Sequence, residues 1–113
     1  MSTERVLFEG RLGTERVRVW LQASGAGIEL LSHDIGPGLE QFFGRDEIET
    51  YLRIDAAHEP FLTDALAAER TDPGAPTTAL DLLADKYRGD AAATTHLKAW
   101  LDEHEVPYRF TLV

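Results

Sequence analysis

The sequence has no cysteine, and it has no apolar run approaching the length of about 18 residues that a membrane-spanning helix needs. The lack of cysteine excludes disulfide bonds and thiolate metal sites. The N-terminal segment, residues 1–5, also lacks the charged-then-apolar layout of a signal peptide. We therefore expect a cytoplasmic protein that has no membrane partner.

Basic residues are scarce as well. The chain has 11 lysines and arginines against 20 acidic residues, which gives a net charge of −9 over 113 residues. Residues 1–54 hold nine acidic and six basic residues, and residues 55–113 hold eleven and five. Contact with phosphates requires a basic surface, so direct binding of nucleic acid is not expected. The acidic balance favours a basic partner, although solubility alone also explains it.

The first half of the chain has the pattern of β-strands. Apolar and polar residues alternate there, with many β-branched and aromatic side chains, which is typical of half-buried strands. The first two connections are short and contain glycine, which is typical of hairpins. These features predict an antiparallel meander of four strands, near residues 4–12, 15–23, 27–33 and 47–54.

The second half has helical spacing. Residues 61–69 repeat at 3.6 residues and place Phe61 on an apolar face. A second helix is predicted from an N-cap at Thr78 to Gly89. A third is predicted with Asp90 as its N-cap and with an inner stripe of Ala93, Leu97, Trp100 and Leu101. Alternation returns near the end of the chain and predicts a last strand that contains Tyr108, Phe110 and Leu112.

Together these elements predict a single α+β domain over residues 1–113, in which a four-stranded antiparallel meander precedes three helices packed on one sheet face and a C-terminal strand. Strand alternation assigns these apolar residues to the helix-covered face: Val17, Val19, Leu21, Ile28, Leu30, Ile48, Leu52 and Ile54. The opposite face would then display aromatic and arginine side chains, which are typical of interface hot spots. An ordinary exposed sheet face is the alternative. The candidate partner-binding residues on this face are Arg18, Trp20, His33, Glu49, Tyr51 and Arg53.

The connection over residues 35–46 is a second candidate surface. It is long for a link between strands, and long connections in compact domains often carry function. Phe43 within this connection and Asp34 immediately before it complete the candidate partner-binding residues. The alternative is that Leu39, Phe42 and Phe43 form one helical turn that closes an end of the core.

The His33-Asp34 pair suggests metal phosphohydrolases, in which an adjacent His and Asp share a metal with distant ligands. Here the pair follows a strand-like run and precedes a glycine-proline loop, and no histidine lies upstream. The four histidines are scattered, without the spacing of a metal or acid-base site. We expect no catalytic residue, metal or cofactor, and we interpret the pair as a strand-to-loop junction.

Three segments carry a resemblance: His33–Pro37, Phe42–Gly44 and Glu47–Leu52. Their succession resembles a group of small uncharacterised bacterial proteins, and the size and charge are similar to those of immunity proteins of polymorphic toxin systems. The pattern covers about residues 27–66, and a further segment that carries the resemblance lies at residues 104–108. The resemblance implies a non-catalytic, acidic immunity-type inhibitor that neutralises a basic bacterial toxin.

Two other functions remain open at this point, and the oligomeric state is open as well. One is a small enzyme or small-molecule-binding protein that uses the His33-Asp34 loop. The other is a phage-type inhibitor that imitates the charge of nucleic acid, and its acidic groups would come from the helical half. The candidate groups there are Asp81, Asp85, Asp102, Glu103 and Glu105.

Overall fold

The protein is an α+β domain built on one five-stranded antiparallel sheet, as the sequence predicts. The computed structural model describes residues 3–72, 74 and 76–113, without the side chains of Phe42 and Phe43. Within these residues the strands follow the order of the chain across the sheet. The strands are β1 (Glu4–Leu12), β2 (Glu15–Ser24), β3 (Gly27–Ile35), β4 (Glu47–Asp55) and β5 (Arg109–Leu112), and the helices are α1 (Glu40–Phe43), α2 (Glu59–Ala68), α3 (Ala79–Lys86) and α4 (Ala93–Glu103).

The third strand differs from its prediction at its C-terminal end. It continues through Ile35, because Asp34 pairs with Val17 on one side and with Ile48 on the other. His33 and Asp34 therefore lie within a strand that is hydrogen-bonded to both neighbours. The interpretation of this pair as a strand-to-loop junction was wrong, because the strand ends two residues later than predicted. The end of a strand is set by pairing with its neighbours, and the local sequence does not show that pairing.

The alternation of side chains divides the sheet into two faces. One face is buried under the helices, and Leu21, Leu30 and Leu52 form a cross-strand row at its centre. Helix α3 packs on β1 and β2, and α4 packs on β3. Every sheet residue that the sequence assigned to this face is buried: Val17, Val19, Leu21, Ile28, Leu30, Ile48, Leu52 and Ile54.

The helices cover this face with stripes of apolar side chains. In α2 the buried residues are Leu62 and Leu66, which are four positions apart and so lie on one side of the helix. Phe61 precedes this stripe by one position, which turns it about 100° away, and it is 56% exposed. Phe61 therefore lies outside the buried stripe, although the sequence spacing placed it on the apolar face of this helix. In the part of the chain described here, no helix is long and apolar enough to cross a membrane.

The helix starts follow local capping chemistry. The Thr78 side chain accepts the Asp81 backbone N–H, so the predicted N-cap of α3 is confirmed. The fourth helix begins at Ala93, later than predicted, because the Asp90 carboxylate accepts the backbone N–H of Ala92 and holds a turn before the helix. Helix α4 then places Leu97, Trp100 and Leu101 in the core, as its sequence spacing predicts.

The connection between β3 and β4 packs on the turn of the first hairpin. It contains a 3-10 turn at Pro37–Leu39, followed by α1. The backbone N–H of Gly36 donates to the Asp46 carbonyl over 2.8 Å and closes the base of the loop. A Cβ atom at Gly36 would lie 2.8 Å from the Cα of Glu15 and 3.0 Å from the Thr14 carbonyl oxygen, so this close approach requires glycine.

Candidate functional site

The side of the sheet that the helices leave uncovered is the candidate functional surface. We call it the outer face. Its side chains on the three central strands form cross-strand rows, and six of the eight predicted partner-binding residues belong to it. From one end to the other, the rows are Arg16, Ile35 and Glu47; Arg18, His33 and Glu49; Trp20, Leu31 and Tyr51; and Gln22, Glu29 and Arg53.

An aromatic row forms the centre of the outer face. Leu31 is only 8% exposed, because its direct cross-strand neighbours are Trp20 and Tyr51. The Arg18 guanidinium lies over the Trp20 ring, 4.4 Å from its centroid. This cation–π contact, together with an Arg18–Glu4 ion pair of 2.7 Å, holds the tryptophan side of the row in place.

The outer face is electrically balanced, in contrast to the whole chain. Its four rows contain three arginines and three glutamates, so their formal charges cancel, whereas the chain carries −9. The excess negative charge therefore lies on other surfaces. The four rows therefore exert little net long-range attraction on a charged molecule, whereas the acidic surfaces of the rest of the protein attract cations.

One polar cluster stands at the edge of the aromatic row. The His33 Nε2 atom lies 2.6 Å from Glu47 Oε1 and 3.9 Å from Glu49 Oε1. The Tyr51 hydroxyl donates to the other oxygen of Glu49, Oε2, over 2.5 Å, and this hydrogen bond raises the pKa of Tyr51. Three groups that can ligate a metal thus meet at one place.

Spacing along the chain does not reveal this set of possible metal ligands, because His33 is 14 residues from Glu47. The available signal was the alternation in β4, which places Glu47 and Glu49 on the same face. Only the register between β3 and β4 brings them to the histidine.

Asp34 does not belong to the outer face. Successive residues of a strand point to opposite sides, so Asp34 points to the helix-covered side, between Val17 and Ile48, and is half-buried. Burial raises its pKa, the neighbouring His33 lowers it, and Glu15 raises it further. His33 and Asp34 are adjacent in sequence but point to opposite sides of the sheet, so they cannot converge on one ligand. Whether Asp34 contacts a partner stays a prediction.

We expect Asp34→Asn to stabilise the protein at neutral pH. Because the folded-state pKa of Asp34 is raised, ionisation opposes folding, and this cost is absent below the unfolded-state pKa of about 3.9. The gain in Tm should therefore be present at pH 7 and should fade as the pH is lowered to about 3.5. Differential scanning calorimetry at several pH values measures it. An equal gain in Tm at pH 7 and at about pH 3.5, or a loss at pH 7, would contradict a raised pKa of Asp34. The matched control is Asp64→Asn, at an exposed position of α2.

The Phe43 side chain, the eighth predicted residue, lies outside the described part of the structure. Its backbone belongs to α1, so a helical turn is present where one was predicted. Whether Phe43 contacts a partner stays a prediction. Leu39, which was predicted to belong to the same turn, precedes α1 as the last residue of the 3-10 turn and is half-buried.

Comparison with other proteins assigns no family to this chain. No family model, curated protein or solved structure matches it. The resemblance to immunity proteins therefore stays a prediction that rests on the sequence pattern.

Proposed function

We propose that this protein is a non-catalytic protein-binding module, most concretely an immunity-type inhibitor that neutralises a basic bacterial toxin. The observation that carries the proposal is the aromatic row of the outer face. Trp20 and Tyr51 flank a nearly buried Leu31 on the side of the sheet opposite the helix-packed core. Aromatic side chains beside arginine are the residues that dominate the binding energy of protein interfaces.

The position of this row on the sheet supports a binding role. Strands β2, β3 and β4 are hydrogen-bonded on both sides, so the surface is held by the sheet ladder. A preformed surface loses little conformational entropy when a partner binds. The Arg18–Trp20 contact adds to this rigidity, because it fixes a long side chain that would otherwise have to be ordered on binding.

The distribution of charge supports a basic partner. The net charge of −9 attracts a cationic protein over a distance of about 10 Å at 0.1 M salt. The outer face itself is balanced, so it can bury its central row without placing a block of like charges in the interface. In this arrangement, charge accelerates the encounter and the aromatic row supplies the affinity.

The other two functions receive less support. A site built on the His33-Asp34 loop needs both side chains on one surface, and the strand places them on opposite faces. Imitation of nucleic acid needs a continuous row of free acidic groups. Two of the predicted acids are already paired: Asp81 with Arg5 at 3.2 Å, and Asp85 with Arg88 at 3.0 Å.

We expect Trp20→Ala and Tyr51→Ala each to weaken partner binding by about 2 kcal/mol or more, which is roughly a 30-fold change in Kd. Each substitution removes a ring from the aromatic row, while the core on the other side of the sheet stays intact. The partner is first captured with the wild-type protein from lysate of the native host. Its affinity for each purified variant is then measured by calorimetry.

The matched control is Phe61→Ala, because Phe61 is an exposed aromatic residue on the helical side of the molecule. It should bind the partner as the wild type does. The proposal further requires that the captured protein is toxic when expressed in bacteria and that co-expression of this chain suppresses the toxicity. A captured partner that binds both outer-face variants with wild-type affinity would exclude the outer face, and a partner that is not toxic would exclude the immunity function.

A further inference from the structure

The cluster at His33 has the arrangement of a metal-ligand set. His33 lies directly opposite Glu49 in the register of β3 and β4, and Glu47 lies opposite Ile35, one row further along the same face. One ligand atom from each of the three side chains lies within 4.8 Å of the other two. Because the three come from two paired strands, the sheet ladder sets the spacing of their Cα atoms.

Pairing within the protein leaves this cluster with excess negative charge. An imidazole carries at most one positive charge, whereas Glu47 and Glu49 together carry two negative charges when ionised. Among the residues that the structure describes, no lysine or arginine forms an ion pair with either glutamate. Glu69, by contrast, is paired with the full cation of Lys86 at 2.8 Å. A cation from solution would therefore be attracted here.

A contact outside the three ligands orients one of them. The Tyr51 hydroxyl holds Glu49 Oε2, which leaves Oε1 directed to the side of the imidazole. Groups that hydrogen-bond to a ligating carboxylate in this way reduce its freedom and strengthen metal binding. Tyr51 thus gives Glu49 a defined position before any ion is present.

We infer that His33, Glu47 and Glu49 form a binding site for one divalent transition-metal ion, with zinc as the best fit. Imidazole nitrogen favours zinc and its neighbours over magnesium and calcium, which prefer oxygen ligands. Tetrahedral zinc, with ligands at about 2.0–2.1 Å, separates its ligand atoms by roughly 3.3 Å. The observed separations, from 2.6 Å to at most 4.8 Å, lie on both sides of that value.

The side chains have the freedom to adjust to an ion. His33 is 29% exposed and Glu47 is 54% exposed, so the shifts of about 0.6–1.5 Å that bring the ligand atoms to the tetrahedral separation disturb no core packing. With three protein ligands, the fourth position opens to solvent on the outer face. The ion is not needed to fold the domain, because its ligands lie on the uncovered side of the sheet. This inference does not depend on the proposed function.

The test is a titration of metal-free protein with zinc, in which calorimetry measures the binding in a buffer free of phosphate. We expect one equivalent of Zn²⁺ to bind and an equal concentration of Mg²⁺ to show no binding. His33→Ala and Glu47→Gln should each weaken Zn²⁺ binding by at least about tenfold, since even loss of an orienting contact costs that much. Co²⁺ substituted for zinc should give the visible absorption of a tetrahedral site, and Glu47→Gln should abolish that absorption.

The matched control is His96→Ala. His96 Nδ1 lies 2.6 Å from Asp90 Oδ2, the same separation as between His33 and Glu47, but only one carboxylate contacts it. This variant should bind Zn²⁺ as the wild type does. Absence of Zn²⁺ binding to the wild type, wild-type affinity in both His33→Ala and Glu47→Gln, or loss of binding in His96→Ala would each overturn the inference. Circular dichroism verifies that each variant is folded.

Discussion

Gly27→Ala is expected to destabilise the domain by more than about 3 kcal/mol, a large part of the roughly 5–15 kcal/mol that holds such a domain together. Gly27 is buried at the start of β3, where φ is 145°, a conformation that side chains with a Cβ rarely adopt. A Cβ atom at this position would overlap the Ile54 carbonyl oxygen and would lie 3.0 Å from the Ala56 backbone nitrogen.

The overlap involves backbone atoms, so no rotation of a side chain can relieve it. To admit the methyl group, β3 has to move away from β4, where Gly27 pairs with Asp55. That movement also disturbs the adjacent hydrogen bond from the Ala56 N–H to the Ala26 carbonyl, which is 2.9 Å long. Backbone strain and lost pairing therefore add to the same penalty.

Urea unfolding followed by circular dichroism measures this loss. The control is Gly25→Ala, in the same turn, where an added Cβ atom would meet nothing within 4 Å. We expect that variant to change stability by less than about 1 kcal/mol. Equal effects of the two substitutions would show that the close approach at Gly27 does not limit stability.

Trp100→Ala should have an effect of similar size, about 3–5 kcal/mol, as expected for the removal of a large aromatic side chain from a core. Trp100 is 6% exposed and lies in α4 beneath the sheet. Its ring stacks on His104, with centroids 3.9 Å apart, and its Nε1–H donates to Glu69 over 2.8 Å. The substitution leaves a cavity and removes a hydrogen bond at the same time.

The other tryptophan is the natural control. Trp20 lies on the outer face and is half-buried, so Trp20→Ala should cost roughly 1 kcal/mol of stability. Chemical denaturation of both variants measures the difference. If Trp20→Ala were as damaging as Trp100→Ala, the outer face would be part of the folding core, and its role in binding would lose its basis. The Trp100→Ala protein, where folded, retains Trp20 as the one fluorescent tryptophan to report on partner binding.

Local patterns were sufficient to predict most of the fold. Strand alternation depends only on successive residues pointing to opposite sides, so Val19 and Leu21 were placed correctly on the buried face without any knowledge of pairing. The cap at Thr78 depends on a contact three residues away and was also predictable. The same alternation placed Trp20 and Tyr51 on one uncovered face, which the register confirms.

Features that depend on contacts between distant residues could not be predicted. The C-terminal end of β3 depends on pairing with β2 and β4, and the prediction stopped two residues early because the loop composition began there. Phe61 matched a helical spacing, but the packing of α2 selected the stripe of Leu62 and Leu66 instead. In both cases tertiary contacts outweighed a weak local preference.

The sequence by itself determined the class of the fold, the composition of both sheet faces and the absence of thiol chemistry, because these depend on residue types and short-range periodicity. Only the tertiary structure decided which polar groups meet. It separated His33 from Asp34, its neighbour in the chain, and brought His33 to Glu47 and Glu49, 14 and 16 positions away. The physical reason is the register of β3 against β4, since a shift of one residue would have exchanged the two faces and dispersed the cluster.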